Sequence, residues 1–454
     1  MPELIATNPA TGAIVKRYET LDAEGIHSEI NRAEVAFASW KNTSFAERAK
    51  VLNNVAIALR DYKSDFIELM ANEMGKPYKE GGPEVEKAAM CSEYYAQHAE
   101  QFLKDEILAS DASRSFVTYQ PLGVILSILP WNAPIWLASR FYAPTLMAGN
   151  TCVVKHDPNV PGCAQLLAKI FDEAAPTGVY VNTPIVNTDA EKAIAHPAVQ
   201  AASFTGSSKA GSIVASTAAK YIKHAILELG GSDPFIVLSD ADLDKAVDIA
   251  ALSRIINAGQ SCIAAKRMIV MHDIYETFIE RLKTKLAALK VGNPMDESTD
   301  VGPLARGDLR DNLDRQVSES IAAGAKCLLG GKPLAGEGFY YPVTLLTDVT
   351  EDMVVFKEET FGPVAVVIKA ESVEQAVSLA NNTDYGLGAG VWTNDIQLAE
   401  KIALKINAGQ VAINGIVKTD PRLPSGGIKH SGYGRELGPH GIKEFVNAKQ
   451  IWIA

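Results

Sequence analysis

Gly123-Val124-Ile125-Leu126-Ser127-Ile128-Leu129 reads as a buried strand closed by Pro130-Trp131-Asn132, and the elements after it decide the fold. Next come a helical stretch from Ile135 to Met147, a β-branched run at Cys152-Val153-Val154 and a second helical stretch from Cys163 to Ala174. Strands alternating with helices predict a parallel sheet, because parallel neighbours need a long crossover between them. The rhythm continues through Ala201-Ala202-Ser203-Phe204, a helix over Ser208 to Lys220 and a strand over Ala225 to Leu229. A doubly wound α/β domain is expected here.

Working outward, the stretch from Ala23 to Phe102 places Ala33, Ala36, Phe37 and Trp40, then Val51, Val55, Ala58 and Leu59, at helical spacing. Around Ser115-Phe116-Val117-Thr118-Tyr119 the period becomes two, which predicts an extended ribbon that offers an arm to another subunit. From about Pro234 a second α/β half is expected. Its units are a helix from Leu243 to Asn257, a strand at Met268-Ile269-Val270, a helix from Tyr275 to Lys290 and a strand from Val364 to Ile368. Phe445 to Ile453 reads as a strand able to pair at an exposed edge.

The 454 residues exceed one ordinary core, so two or three domains are expected. With 43 basic and 54 acidic residues, a formal charge of −11, neither a nucleic acid nor an anionic membrane suits the chain as main partner. A small molecule does. The opening Met1-Pro2-Glu3-Leu4-Ile5 lacks the basic start of a signal peptide, so a cytoplasmic location is expected. The apolar run from Val124 to Ala138 is broken by Pro130, Asn132 and Pro134 and falls short of the ~20 residues a spanning helix needs. Cys91, Cys152, Cys163, Cys262 and Cys327 are scattered, with no C-x-x-C pair, which predicts reduced thiols and no metal site.

Cys262 stands apart, set in Ala258-Gly259-Gln260-Ser261-Cys262-Ile263 where a helix hands over to a strand. A lone cysteine is usually an inert core residue, so its reading depends on its company. Asn132 follows a strand C-terminus, where α/β sheets bind ligands, and its amide can donate to an oxyanion. Phe204-Thr205-Gly206-Ser207-Ser208-Lys209-Ala210-Gly211 lies between strand and helix and suits either a pyrophosphate or an ordinary Ser-capped helix. Glu228 in Glu228-Leu229-Gly230-Gly231 can activate water if desolvated. In Glu358-Glu359-Thr360-Phe361-Gly362-Pro363 a carboxylate can accept the hydroxyls of a ribose, with Lys155 as a further donor.

Together these motifs resemble the aldehyde dehydrogenase superfamily. Asn8-Pro9-Ala10-Thr11-Gly12 opens the likeness and Gly426-Gly427-Ile428-Lys429-His430-Ser431-Gly432 closes it, with Pro130-Trp131-Asn132, Phe204-Thr205-Gly206-Ser207, Glu228-Leu229-Gly230-Gly231, Gly259-Gln260-Ser261-Cys262 and Glu359-Thr360-Phe361-Gly362-Pro363 between in the family's order. The resemblance implies an aldehyde dehydrogenase-like α/β fold with two doubly wound domains and a small β oligomerisation ribbon. It implies a cofactor domain over 1–103 and 122–231, a catalytic domain over 232–432, and a ribbon of 104–121 with 433–454 that builds a homodimer or homotetramer.

It also implies roles. Cys262 attacks the aldehyde, Asn132 and the Cys262 N–H hold the oxyanion, and Glu228 deprotonates the water that hydrolyses the thioester. The cofactor lies along Leu129, Pro130, Trp131, Lys155, Pro158, Gly206, Ser207, Leu229, Glu359 and Phe361. Pro158 stands where many NAD-preferring members carry a Glu that repels a 2′-phosphate, so NAD is favoured over NADP by a small margin only. Arg140, eight positions after Asn132, matches the carboxylate-gripping Arg of succinate-semialdehyde dehydrogenases, with Trp136, Thr419 and Ser425 as further substrate contacts. Ser425 replaces a family Phe, which costs the pocket an aromatic wall, and Ala264 replaces the second cysteine of a redox switch found in some relatives. The alternatives are a dehydrogenase of glutarate semialdehyde or another short aldehyde, and a non-catalytic cofactor-binding relative. A Cys-His hydrolase is disfavoured because His156, His196 and His272 read as loop or strand-end residues.

Overall fold

The computed structural model describes residues 2–454. Val124–Leu129 lies within a six-stranded sheet ordered Gly432–Tyr433, His224–Glu228, Val199–Thr205, Val124–Leu129, Thr151–His156 and Tyr180–Asn182. The pairings are parallel except at the edge, where Gly432–Tyr433 runs antiparallel to His224–Glu228. Val124–Leu129 is buried at every position, as the middle of a parallel sheet covered on both faces requires. Its alternate residues serve two cores: Ile125 and Leu129 pack with Trp40, Leu52 and Val55 of the opening helices, and Val124, Leu126 and Ile128 with Ile26 and Ile30. The strand order reverses beside Val124–Leu129, so the segments after Leu129 and after Thr205 flank a switch point, the usual ligand crevice of such sheets.

The opening stretch forms four helices, Ala23–Trp40, Phe45–Asp61, Lys63–Met74 and Tyr78–Phe102. A hairpin of Glu3–Thr7 and Ile14–Glu19 precedes them, and Asn8-Pro9-Ala10-Thr11-Gly12 lies in its turn, with Gly12 at a φ of 74°.

A second sheet has seven strands: Lys326–Leu329, Thr344–Thr347, Val364–Ala370, Ala265–Met271, Asp233–Val237, Gly388–Trp392 and Gln410–Ile413. Only Lys326–Leu329 is antiparallel. Sequence periodicity finds Ala265–Met271 and Val364–Ala370 and misses the others. Gly388-Ala389-Gly390-Val391-Trp392 is hidden by its glycines, which are there for space: a Cβ on Gly388 would meet Asp233 Oδ2 at 2.4 Å. The helix expected to reach Lys290 is Tyr275–Ala287, and beyond it the Lys290 N–H donates to Asp300 Oδ2 at 2.9 Å in a loop. The helix expected to run to Asn257 ends at Ile255, for a reason that belongs to the site.

The third sheet is a ribbon. Val446–Ile453 pairs along its whole length with Arg114–Pro121, which also carries Glu106–Ile107. Ile107, Trp452 and Ile453 are exposed on it. Among the described residues no helix is long and apolar enough to cross a membrane.

Candidate active site

Helix Leu243–Ile255 gives way to a 3₁₀ turn, Ile256–Gly259, in which Asn257, Ala258 and Gly259 take φ values of 54°, 53° and 74°. Three left-handed residues in succession are costly, at about 1–2 kcal/mol for each non-glycine. Buried partners enforce them. The Asn257 N–H donates to Glu80 Oε2 at 2.7 Å, Arg254 donates to the Gly259 carbonyl at 2.6 Å, and Gln260 donates to the Asn257 carbonyl at 3.0 Å while accepting from the Ala305 N–H at 2.9 Å. The result is a rigid loop that sets Cys262, half-buried, ahead of strand Ala265–Met271.

Gly259 has no room for a side chain, because a Cβ there would lie 2.2 Å from the Gly362 carbonyl oxygen. Gly259→Ala is therefore expected to displace the loop, with strain of about 1–3 kcal/mol added to the clash. The reading is the rate of Cys262 modification by a thiol reagent alongside the melting temperature. Parent-like values in both would mean that the loop does not hold the thiol.

Three sequence-predicted residues converge on Cys262. Glu228, at the end of His224–Glu228, is 2 % exposed, not the solvated strand-end residue it resembles in the sequence. Its carboxyl and the Cys262 thiol are near enough for each to influence the other's ionisation. Burial raises Glu228 to about 7, against the pull of Arg140, and burial with the Glu228 charge holds the Cys262 thiol well above its ordinary range. Asn132 Nδ2 donates to the Gln260 carbonyl at 3.1 Å, and the Asn132 carbonyl accepts from Lys76 and from Asn257 Nδ2 at 2.9 Å. Arg140, in helix Pro134–Met147, is 3 % exposed; it is paired with Glu436 and lies 4.0 Å from Glu228. No histidine joins this group: His156 packs under Pro134 and His196 pairs with His27.

Helix Pro134–Met147 starts where it does because Glu84, itself paired with Lys76, accepts the N–H groups of Ile135 at 3.0 Å and Trp136 at 3.2 Å. Trp136 Nε1 donates to Thr419 Oγ1 at 3.1 Å, so the two expected substrate contacts touch. Ser425, 2 % exposed, exchanges two backbone hydrogen bonds of 2.7 Å with Glu436. The loop that lost the aromatic thereby steadies the partner of Arg140.

The residues expected to hold a cofactor lie at strand ends and in the adjoining loops. Trp131 and Phe361 meet edge to face at 5.9 Å. Glu359 accepts the Gly231 N–H at 3.1 Å and pairs with the wholly buried Lys266 at 3.1 Å, and Lys266 also donates to the Cys262 carbonyl. A Cβ on Gly230 would strike Glu359 at 2.3 Å, so this glycine is dictated by the approach of a carboxylate. Lys155, 2 % exposed, donates to Asn187 Oδ1 at 2.7 Å, with Pro158 in the turn beyond its strand. Ser207 caps helix Ser208–Lys220 by accepting the Ala210 N–H, and Gly211 lets that helix close on Leu229, where a Cβ would meet Cδ2 at 2.5 Å. The Gly206 N–H donates to the Glu228 carbonyl at 3.0 Å, so an anion at this turn must use the N–H groups beyond it.

Sequence reasoning missed Glu436, Lys266 and Lys87. Glu436 falls in a segment assigned to the ribbon, whereas Gly432–Tyr433 extends the six-stranded sheet and the ribbon strand starts only at Val446. Lys266 was legible as a cation four residues from Cys262.

A model of the aldehyde dehydrogenase family matches residues 2–451. The chain is 47 % identical over 452 residues to a Synechocystis sp. protein named probable succinate-semialdehyde dehydrogenase (NADP(+)), covering 99 % of this chain and 100 % of that one. It is 46 % identical to succinate-semialdehyde dehydrogenase (NADP(+)) of Mycobacterium avium, covering 99 % and 96 %. The crystal structure of succinic semialdehyde dehydrogenase from Streptococcus pyogenes in complex with NADP+ superposes with a TM-score of 0.97 at 34 % identity, covering 99 % of both chains. Lactaldehyde dehydrogenase from Escherichia coli superposes with a TM-score of 0.97 at 35 % identity, covering 100 % and 96 %. The small margin given to NAD finds no support among the NADP-named relatives.

Proposed function

The chain belongs to the aldehyde dehydrogenase family, and on that premise we propose that it oxidises succinic semialdehyde to succinate with NADP as the preferred cofactor. The observation that carries the substrate reading is Arg140, a buried guanidinium facing the site from the helix that starts beside Asn132. Its Nε lacks a hydrogen-bond partner and can donate to a substrate carboxylate. The likeness to succinate-semialdehyde dehydrogenases supports the same reading.

The crevice fits a dinucleotide: Lys155 is a buried cation bonded to the Asn187 amide rather than to an acid, Pro158 offers no repulsion to a 2′-phosphate, and Trp131 with Phe361 gives an apolar wall. Bound there, the cofactor supplies the acceptor for the aldehyde hydride.

The protein's residues do the rest. Cys262 is held as a thiol, so its proton passes to Glu228 as sulfur attacks the carbonyl carbon. Asn132 Nδ2 and the Cys262 N–H stabilise the oxyanion of the thiohemiacetal, which collapses to a thioester once the hydride has left. Glu228 first passes the thiol proton to solvent and so regains its charge; it then takes a proton from water, the hydroxide attacks the thioester, and the Cys262 sulfur leaves as the acid is formed. Lys266 keeps Glu359 and the Cys262 carbonyl in register during both halves.

We assign cofactor binding to the six-stranded sheet with its helices, catalysis to the seven-stranded sheet, and assembly into a homo-oligomer to the ribbon. A cytoplasmic location accords with this metabolism.

Initial rates with succinic semialdehyde and butanal, each with NADP and NAD, test the proposal. Succinic semialdehyde should exceed butanal by about 10- to 100-fold in kcat/KM, the worth of a charged hydrogen bond, and NADP should exceed NAD. Equal rates on both aldehydes would favour the second reading, a broad short-aldehyde dehydrogenase, which Ser425 in place of the family aromatic supports.

A further inference from the structure

Lys76, Lys266 and Arg140 are basic side chains around the site, and each is matched, by Glu84, Glu359 and Glu436. Lys87 of helix Tyr78–Phe102 is not. We propose that Lys87, together with Arg140 and the Thr419 hydroxyl, receives the distal carboxylate of the substrate. This rests on the semialdehyde reading above and names a specificity-determining residue for it.

The Lys87 ammonium donates to Thr419 Oγ1 at 3.0 Å and stands 4.1 Å from the centre of the Trp136 ring. The carboxylates that face it are engaged elsewhere, Glu84 with Lys76 and Asp420 with Arg422. Its remaining charged and titratable neighbours are the buried Cys91 thiol and, more strongly, the like charge of Arg140. Lys87 is therefore left without a free acid, within the field of a buried guanidinium that Glu436 already pairs. An anion beside the Lys87 ammonium offsets its charge.

Thr419 points to the same ligand. Its oxygen accepts from Lys87 Nζ and from Trp136 Nε1, which occupies both lone pairs and leaves the hydroxyl proton to be given away. No protein acceptor takes it among the described residues. A carboxylate oxygen would. The Trp136 indole beneath Lys87 offers an apolar wall to the methylenes between carboxylate and aldehyde. Burial and Arg140 bring the Lys87 ammonium down to about 8, so the charge is present at neutral pH and fades above it.

The test is kcat/KM of the parent, Lys87→Met and Lys87→Arg on succinic semialdehyde and on butanal. Lys87→Met, which keeps the stem against Trp136, should lose about 10- to 100-fold on the semialdehyde, mainly through KM, and leave butanal within about threefold. Lys87→Arg should restore most of the loss. In the parent, KM for the semialdehyde should rise above pH 8 while KM for butanal stays level. Equal losses on both substrates would overturn the proposal in favour of a structural role, as would an unchanged semialdehyde KM with no separation of the pH profiles. A parent without preference for the semialdehyde would instead remove the substrate reading, and this assignment with it.

Discussion

Glu228→Gln is expected to lower steady-state turnover by about 10²- to 10⁴-fold, the usual worth of a positioned general base. Two features of the residual reaction make the prediction specific. Glu228 titrates at about 7 because burial penalises its charge, and it must be ionised to take a proton. Parent activity should therefore rise as pH climbs through 7 and be lost below it, and the variant should have no such limb. The Glu228 charge also helps hold the Cys262 thiol up, so its removal eases ionisation of the sulfur. At alkaline pH the variant should show a burst of reduced cofactor near one equivalent per site, then almost nothing, with the thioester visible as added mass on Cys262. Steady turnover with no burst would mean that another group activates the water.

Arg140→Ala should cost about 3–5 kcal/mol of stability, as removal of one partner from a buried ion pair does. It would leave Glu436 and Glu228, both buried, facing each other without the cation between them. The midpoint of denaturant unfolding, measured without cofactor, is the reading. The double variant Arg140→Leu with Glu436→Leu should recover most of the loss, because only Glu228 is then left without the cation and burial lets it take up a proton instead. The kinetics carry a second signature. Arg140 is the group that holds Glu228 down, so in Arg140→Ala the acid limb should move to higher pH. A parent-like midpoint would show that the pair contributes nothing to the fold.

Much of this was legible in the sequence because a parallel sheet writes itself as apolar runs between helices. Val124–Leu129, Thr151–His156 and Ser208–Lys220 are such elements. Cys262, Glu228 and Asn132 stand on short motifs whose order along the chain was enough to bring them together. What stayed hidden has physical reasons. In Gly388–Trp392 the two glycines leave room for Asp233 and Phe235, which erases periodicity. The left-handed turn contradicts the preference of Ala258, though Asn257 tolerates it, and is enforced by Glu80, Arg254 and Gln260, whose roles no local pattern reveals. The engagement of Arg140 by Glu436 is a contact between positions far apart in the chain, and it turns a residue read as a free clamp into one that is already half-neutralised.

Gly432–Tyr433 closes a sheet whose neighbouring strand ends at Glu228, and Val446–Ile453 covers Arg114–Pro121, so the first half of the chain is completed by segments made long after it. A ribosome adding roughly 5–20 residues per second needs roughly 10–40 s to pass from Glu228 to Gly432 and roughly 15–65 s from Pro121 to Val446. Over those intervals the nascent chain carries two unpaired strand edges, one at His224–Glu228 and one along the ribbon. The seven-stranded sheet, whose strands all lie between residues 233 and 413, waits less, since its longest gap between paired strands, from Val237 to Gly388, takes roughly 8–30 s. The order of birth is thus reversed in the order of completion: the younger sheet can finish first, and the older one stays open to chaperones, or to a neighbouring nascent copy, until residues 432–453 return to it.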